Sequence, residues 1–279
     1  MTQPAFGRRV RALEEWIGAE LFDRSSQPVR LTQAGQWFQS IAHDLLEQVA
    51  RIPGEARTVV EAGSNSLRFA ATHALSFTFV PGWLRTFESL TTVGTIQLES
   101  DVLQRCESLM EQSKVQFVIC HAHPQAPGTL HADGFPSLKV GADVLVPVSV
   151  PGADGQPVHK LQGGDTPVSL LTYSDESGLG RILRETRHEA LEKTPTHTVF
   201  TAHLASVLKT MVMDARGMAW IPYSLVADEI GDGRLVAAAS DEWRIDLEIR
   251  IFRSRGAMGK AAEALWAAVA DPAGRPVLK

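Results

Sequence analysis

Residues 2–18, TQPAFGRRVRALEEWIG, predict one short helix at the start of the chain. Thr2 can cap its first turn, Pro4 fits a position that needs no backbone donor, and Gly18 supplies a left-handed end. Four apolar residues recur at spacings of four, three and four and share one face: Phe6, Val10, Leu13 and Ile17. The stretch therefore predicts an amphipathic helix that packs by one stripe.

The rest of this helix is basic near its start, where Arg8, Arg9 and Arg11 lie. A helix that buries one stripe and carries arginines near its N-terminus suits the DNA major groove and its phosphates. An ordinary amphipathic surface helix with a solvated basic face is the alternative, because three arginines are a weak signal.

The residues that follow predict a hairpin and a second helix. Residues 25–28 (SSQP) favour a turn, Val29 to Leu31 favour a short strand, and Thr32 can cap the next helix. Helix, hairpin and capped helix follow in this order in a winged helix-turn-helix, in which the hairpin is the wing. The runs TQPAFxRRxRALExxxGxxLFxR and PVRLTxAG, within residues 2–35, resemble the DNA-binding half of LysR-type transcriptional regulators.

This resemblance implies a set of residues that contact operator DNA. They are Thr2, Gln3, Pro4 and Ala5 at the floor of the groove, and Arg8, Arg9, Arg11 and Arg30 at phosphates or bases. Gly7 departs from the family pattern, which usually has Ser there. Glycine removes a hydroxyl and costs a helix roughly 0.5–1 kcal/mol relative to alanine.

Only Met1 precedes this region, whereas family members carry a first helix and a positioning helix there. The apolar stripe of residues 2–18 would then lack its usual cover. We therefore expect an incomplete or rearranged DNA-binding region that binds operator DNA poorly. A misread translation start is the expected origin, because Val often precedes Thr-Gln-Pro in the family and a GTG codon can serve as a start.

Composition is that of a water-soluble globular protein. The chain has 279 residues, of which 44% are hydrophobic and 21% charged, and its net charge is −5. This length favours two domains, and DNA affinity would have to come from a local basic surface. There is no signal peptide or membrane-spanning run, and two cysteines, Cys106 and Cys120, make no disulfide framework. We predict a cytoplasmic protein with reduced thiols and no membrane partner.

A long amphipathic helix is predicted from Thr32 to about Ile52. Its apolar stripe contains Trp37, Phe38, Ile41, Leu45, Leu46, Val49 and Ile52. Such a stripe is best buried against a second copy of itself, although packing onto its own domain is the alternative. In LysR-type proteins this segment is the linker helix of the dimer, which implies a homodimer or homotetramer. Pro53-Gly54 predicts an interruption, followed by a short helix from Glu55 to Ala62.

From Leu67 onward, strands and helices alternate, which predicts a parallel or mixed sheet covered on both faces. One predicted strand, residues 142–150, is interrupted by Pro147. Two α/β sets with a late returning strand resemble the periplasmic-binding-protein-like effector domain of the same family. The resemblance implies two lobes that can hinge around a cleft.

The predicted fold is α/β: an incomplete winged helix-turn-helix and linker helix, followed by the two-lobed effector domain. The predicted divisions are 1–35 for the DNA-binding region, 36–65 for the linker and 66–279 for the effector domain, with lobe I at about 67–141 and 249–279 and lobe II at about 142–248.

Ligands of open α/β sheets gather at the carboxyl ends of strands and the N-termini of the helices that follow. Polar side chains occur at three such points. The predicted effector site consists of Thr72, His73, Ser76, Ser100, Asp101, His121 and His123 from lobe I, and Tyr173, Ser174, Thr201 and His203 from lobe II. Such side chains suit a small polar or anionic effector, although each taken singly is more often a cap or loop hydrogen bonder.

Metal binding and catalysis fit the sequence less well. Residues 120–123 (CHAH) and nearby His131 offer metal ligands, but alternate strand residues point to opposite faces, so Cys120 cannot join His121 and His123. No zinc-site spacing, Gly-rich phosphate loop, G-x-S-x-G or H-E-x-x-H motif is present. We predict no enzyme activity, no catalytic residues, no metal and no cofactor.

Within the family, the sequence is most similar to the hypochlorite-responsive regulators. The shared runs are AAxHxLS at 70–76, Tyr173-Ser174, Gly180-Arg181 and GMAWIP at 217–222. That branch is associated with methionine oxidation, yet Leu179 and Leu204 stand where reactive methionines would be expected. The signal is therefore left open between a small molecule and an oxidant. A stand-alone, oligomerising small-molecule-binding protein without DNA binding is the alternative function.

Overall fold

The computed structural model describes residues 3–25, 28–60, 66–87, 94–161 and 167–271. The chain divides into two compact units, Met1–Gly54 and Glu55–Lys279. No helix within the described ranges is both long enough and apolar enough to span a bilayer.

The first unit contains α1 (Gln3–Ile17), a hairpin of β1 (Phe22–Asp23) and β2 (Arg30–Leu31), and the start of α2 (Gln33–Val60). Gly18 ends α1 with a φ of 76°, as predicted. The predicted cap of α2 is confirmed, because Thr32 Oγ1 accepts from the backbone N–H of Gly35 at 3.0 Å. The predicted cap of α1, Thr2, lies outside the described residues.

The carboxylate of Glu14 joins α1 to the hairpin. It accepts from the backbone N–H groups of Leu21 (2.9 Å) and Phe22 (3.3 Å) and from the Arg24 guanidinium at 2.6 Å. Glu14 is 7% exposed, and Leu21 beside it is buried. These bonds fix residues 19–24 against α1 and so position the start of α2, which packs on Leu21.

The predicted interruption at Pro53-Gly54 is wrong, because α2 is continuous over 28 residues. A proline removes a single backbone hydrogen-bond donor, and the helix is destabilised only in the turn that contains it. Good helix formers stand on both sides, including Ala50, Glu55 and Ala56. Most of the predicted Gly63–Ser66 linker lies outside the described residues.

The second unit is built on a seven-stranded mixed sheet. Its path runs β10-β6-β11-β5-β3-β4, with β9 also pairing with β6. The strands are β3 (Leu67–Thr72), β4 (Ile96–Asp101), β5 (Phe117–Ala122), β6 (Ser137–Ser149), β9 (Ala219–Pro222), β10 (Val236–Ala237) and β11 (Ile245–Arg253). β3 is parallel to β4 and β5, whereas β11 is antiparallel to β5 and β6. A separate parallel pair is formed by β7 (Val168–Tyr173) and β8 (Thr196–Ala202).

Helices flank these strands. They are α3 (His73–Thr78), α4 (Val80–Arg85), α5 (Leu103–Glu111), α6 (Thr129–Ala132), α7 (Gly178–Glu192), α8 (Ala205–Met213), α9 (Tyr223–Gly231) and α10 (Lys260–Ala270). α3 and α4 meet at Phe79, just before Pro81. α9 was not predicted, since it follows Pro222 without any side-chain cap.

The predicted break at Pro147 is also wrong, because β6 runs through it. The backbone of Pro147 faces the two-residue strand β10, where its carbonyl accepts from Ala238 N at 2.9 Å. Its missing N–H therefore lies toward a short edge strand, the position in a sheet where proline is tolerated.

Buried side chains form separate hydrophobic clusters in the two lobes, and β6 and β11 contribute to clusters of both lobes. In lobe I, Ile251 of β11 packs with Phe69, Phe117 and Leu265. In lobe II, Leu247 of the same strand packs with Trp220 and other buried side chains. The β6–β11 pairing shifts register between Ile249 and Arg250, so the crossing strands are irregular where the cores separate.

Candidate ligand-binding site

A small cavity lies where strands of the two lobes end and helices begin. Its walls are residues 72–74 at the start of α3, 101–103 at α5, 177–179 at α7 and 203–205 at α8, with His121 from β5. Its volume is about 40 Å³, and a second cavity of about 240 Å³ shares its lining residues Leu103 and His121. The carboxyl ends of strands from both lobes therefore meet at one point.

The helix starts give this cavity a positive field. α5, α7 and α8 have nine residues or more, and the first amide N–H groups of a helix have no partner within it. The aligned peptide dipoles add about half a positive charge at each such end. Ser177 caps α7 by accepting from Gly180 N at 3.3 Å. An anion is therefore the favoured occupant of this cavity.

Thr72 supplies a buried polar atom that the described part of the chain leaves without a partner. Its Oγ1 has no hydrogen bond there, and the side chain does not cap α3 although Thr72 is the N-cap residue. Buried polar atoms nearly always have a partner in native proteins. A ligand or water in the cavity would give this hydroxyl a hydrogen-bond partner.

Titratable side chains from both lobes interact across the cavity. Burial lowers the pKa of His73, Asp101 opposes that shift, and His203 of lobe II lowers the pKa further, so the net shift is downward. His73 Nδ1 is 2.9 Å from Ser100 Oγ. Asp101 accepts from Val102 N at 2.8 Å, at the start of α5. His73 is thus neutral at physiological pH, and Asp101 is the one carboxylate among the described cavity residues.

Five of the predicted site residues line this cavity: Thr72, His73, Asp101, His121 and His203. Ser100 stands behind them as the partner of His73. The rule that places ligands at strand ends therefore selected residues from both lobes that the fold brings together.

Other predicted site residues point elsewhere, because each satisfies its polar group locally. Ser76 Oγ donates to the carbonyls of Thr72 (3.3 Å) and Ala71 (3.4 Å). The remaining contacts join Ser174 Oγ to Glu176 Oε2 (3.5 Å), Thr201 Oγ1 to Thr172 Oγ1 (2.9 Å), and Gln125 N to His123 Nδ1 (3.2 Å), with His123 lining the second cavity.

Tyr173 is a core residue rather than a cavity residue. It is 5% exposed, and its hydroxyl donates to the carbonyl of Trp220 at 2.8 Å. Burial raises the pKa of this phenol far above its usual value. Residues alternate between the two faces of a strand, and Tyr173 falls on the inward face of β7.

We therefore expect Tyr173→Phe to lower the free energy of unfolding by about 1 kcal/mol without changing ligand affinity. The change leaves the buried Trp220 carbonyl without its donor. Denaturant titration measures the effect, and Tyr223→Phe is the matched control, because Tyr223 is 47% exposed. Equal stability of the two variants would show that the Tyr173 hydrogen bond contributes nothing.

Sequence reasoning missed the α7 wall of the cavity. α7 starts at Gly178 with Ser177 as its cap, and neither residue was among the predicted site residues. A serine before a helical run was the available signal. A Cβ on Gly178 would lie 2.6 Å from Leu103 Cδ2, so glycine lets the starts of α5 and α7 approach closely.

The predicted DNA-binding residues fall on the first unit. Arg8, Arg9, Arg11 and Arg30 are all exposed. Phe6, predicted to be part of the packed stripe, is 59% exposed, whereas Val10, Leu13 and Ile17 are half-buried. Phe6 is exposed because it lies near the start of α1, whereas the hairpin contacts α1 near its end, at Glu14. Thr2 and the side chains of Gln3, Pro4 and Ala5 lie outside the described residues.

A helix-turn-helix segment followed by a two-lobed α/β domain is the architecture of a ligand-responsive transcriptional regulator. The chain belongs to the LysR family of these regulators. Residues 1–36 match the family model described as bacterial regulatory helix-turn-helix protein, lysR family, and residues 61–273 match the LysR substrate binding domain. The predicted family and α/β fold class are confirmed.

Individual relatives of this chain support the same family assignment. The chain is 30% identical over 270 residues to the Escherichia coli HTH-type transcriptional regulator YjiE, covering 95% of this chain and 84% of that one. It is 26% identical over 243 residues to the E. coli O157:H7 protein named HTH domain-truncated transcriptional regulator QseD, covering 86% and 95%. These relatives resemble this chain along most of its length.

Solved structures show the same fold. Full-length HypT from Salmonella typhimurium, described as a hypochlorite-specific LysR-type regulator, has a TM-score of 0.61 and 28% identity and covers 96% of this chain and 88% of that one. Vibrio fischeri DarR, solved in complex with DNA, has a TM-score of 0.62 and 24% identity, covering 97% and 90%. The similarity to the hypochlorite-specific protein is distant.

Proposed function

We propose that this protein regulates transcription in response to a small polar or anionic effector bound in the cavity between its two lobes. The observation that carries the proposal is the convergence of the α5, α7 and α8 N-termini on a cavity in which the Thr72 hydroxyl has no partner among the described residues. Helix N-termini bind anions through free amide groups and the helix dipole.

The small volume of the cavity means that either the effector is very small or the lobes have to move apart when it binds. About 40 Å³ holds little more than a water molecule, whose share of liquid volume is about 30 Å³. An effector of several heavy atoms therefore needs the lobes to open about β6 and β11, or has to extend toward the second cavity of about 240 Å³. Opening about two crossing strands is a hinge motion, which is a common route of ligand-driven switching.

A small molecule fits this site better than an oxidant. Leu179 and Leu204, where reactive methionines would be expected, line the cavity, and leucine forms no sulfoxide. Burial raises the pKa of the Cys106 thiol to about 12 and also raises that of Cys120, so neither forms the reactive thiolate. Met218 is fully buried in the core of lobe II.

DNA binding is proposed for the first unit, through exposed Arg8, Arg9, Arg11 and Arg30 and through residues 2–5. The alternative, a stand-alone ligand-binding protein, is less favoured because residues 1–36 match the family's helix-turn-helix model. A gel-shift titration with the DNA upstream of the protein's own gene separates the two. Saturable binding that weakens with added salt supports the regulator. No binding, either by this chain or by a product extended upstream in frame, supports the alternative.

A thermal-shift screen tests the proposed effector site. The probes are small mono- and dicarboxylates and inorganic phosphate, each acid paired with its uncharged amide. We expect at least one anion to raise the melting temperature, because a ligand at 100 times its Kd stabilises the folded state by about 2.7 kcal/mol. Amides that stabilise as well as their acids, or no response to any anion, would contradict an anion site.

Oligomerisation through α2 is a further part of the proposal. The stripe residues Trp37, Leu45, Leu46, Val49 and Ile52 are between 52% and 69% exposed, and Phe38 and Ile41 are half-buried. Leu45→Asp places an unpaired charge in an apolar seam. Sedimentation should then show a smaller species, and Gln36→Asp, an exposed position on the opposite face of the same helix, is the control. An unchanged size for Leu45→Asp rules out this seam, whereas a tetramer reduced to dimers supports it.

A further inference from the structure

Asp143 lies in the middle of β6, one of the two strands that cross between the lobes. Its carboxylate accepts four hydrogen bonds, two on each oxygen. Oδ1 accepts from the backbone N–H groups of Val144 (2.8 Å) and Ser224 (3.1 Å). Oδ2 accepts from Ser224 Oγ (2.6 Å) and pairs with His121 Nε2 at 3.1 Å. The side chains of Asp143 and His121 are each 3% exposed.

An ionised carboxylate only accepts hydrogen bonds, so each of its four partners has to donate. Burial alone would raise the pKa of Asp143, but the hydrogen bond and charge of His121 and the Ser224 hydroxyl outweigh it and hold that pKa below its usual value. The carboxylate is thus ionised at neutral pH, and His121 carries a proton on Nε2.

One end of this network reaches the ligand cavity, and the other contacts the helix that starts at the cavity. His121 lines the cavity directly. Ser224 is the second residue of α9 in lobe II, and its Oγ is 3.3 Å from Thr78 Oγ1, at the end of α3 in lobe I. His73, the first residue of α3, lines the same cavity. The Asp143 carboxylate thus joins the cavity wall of lobe I to the start of a lobe II helix.

We infer that Asp143 is a positioning residue of the proposed effector site, which holds His121 with Nε2 protonated and ties that ring to the start of α9. Asp101, the carboxylate in the cavity, favours a ligand that donates a hydrogen bond, whereas the helix N-termini favour an anion. The effector class is therefore a small hydroxy acid or amino acid, and this assignment of class rests on the proposed function.

Nitrogen NMR of the histidine rings tests the network in the ligand-free wild-type protein. Histidine is labelled with ¹⁵N, and the His121 signals are assigned as those that disappear in His121→Gln. We expect a protonated Nε2 at neutral pH. An unprotonated Nε2 overturns the inference. Asp143→Asn should shift these signals, whereas Asp246→Asn, an exposed residue on the neighbouring strand β11, should leave them unchanged.

A double-mutant cycle tests whether Asp143 couples the lobes. His121→Leu and Ser224→Ala are made singly and together, and unfolding equilibrium constants are measured in denaturant. Their effects should depart from additivity by at least about twofold, as for residues in one hydrogen-bond network. In the Asp143→Asn background the same two changes should be additive. Additivity with Asp143 present overturns the coupling, and the ring NMR stands as a test if a variant fails to fold.

Paired probes test the ligand class by thermal shift. Glycolate is compared with acetate, lactate with propionate, and alanine with propionate. The hydroxylated or aminated member of each pair should raise the melting temperature more. A larger shift with acetate and propionate overturns the hydroxy or amino acid class. No shift with any acid overturns the proposed anion site together with this class, while the NMR result on Asp143 and His121 is decided without a ligand.

Discussion

Replacing Thr72 by Val should weaken a stabilising anion by about 5- to 150-fold without lowering the stability of the ligand-free protein. Valine has the shape of threonine, and the hydroxyl that it removes has no partner among the described residues. Loss of that hydroxyl therefore leaves the free energy of unfolding of the ligand-free protein unchanged. In the complex it leaves a buried ligand oxygen without its donor, at about 1–3 kcal/mol. Calorimetric titration with the best acid from the thermal-shift screen measures the change.

Thr201→Val is the matched control for this prediction. Thr201 carries the same side chain and lies near the end of β8 in lobe II, outside the lining of the cavity. Its hydroxyl is 2.9 Å from Thr172 Oγ1. We expect this variant to bind the acid as the wild type does. Wild-type affinity in Thr72→Val would mean that the hydroxyl does not meet the ligand, and equal losses in both variants would mean that the site is elsewhere.

Gly35→Ala should disrupt the first unit. A Cβ at this buried position would overlap the carbonyl oxygen of Leu21 and lie 3.1 Å from Leu31 Cδ2. The backbone of Leu21 cannot move away easily, because its N–H donates a hydrogen bond to the Glu14 carboxylate of α1. Overpacking costs about 1–3 kcal/mol, and a clash with backbone lies at the upper end. We expect faster hydrogen exchange across α1 and the hairpin, and loss of DNA binding in the gel shift.

Gly7→Ala is the control in the same unit, with an effect of opposite sign. A Cβ on Gly7 meets nothing within 4 Å, and the residue lies inside α1. Alanine should therefore stabilise that helix by roughly 0.5–1 kcal/mol. Unchanged exchange in Gly35→Ala would show that α2 does not pack on Leu21 as described, whereas slower exchange in Gly7→Ala shows that the assay detects changes in this unit.

Local signals were enough to predict much of the fold. Alternation of strands and helices predicted a mixed α/β sheet, and the family resemblance implied its two lobes. Gly18 and Thr32 marked the end of one helix and the start of the next. Pro53 and Pro147 misled the prediction, because a proline removes one donor and the surrounding structure decides whether that loss matters. The length of α2 and the continuity of β6 therefore depend on packing that the sequence does not display.

The site was predictable where it depends on strand ends and unpredictable where it depends on long-range contacts. Thr72 and Asp101 end strands and His203 follows one directly, so their place at the cavity could be inferred. Tyr173 also ends a strand, but its partner is the Trp220 carbonyl, 47 residues away. Asp143 was not predicted as a site residue, because it lies within an apolar run and its partner Ser224 is 81 residues away. The helix that positions Ser224, α9, has no capping side chain that would mark its start.

The central claim is that an anion binds at the helix N-termini between the lobes. A crystal structure of the protein with the acid that most raises its melting temperature tests this directly. The account predicts ligand density between residues 72–74, 177–179 and 203–205, with an anionic oxygen within hydrogen-bond distance of Thr72 Oγ1. Density for a stabilising acid at any other place, with this cavity unchanged, would contradict it.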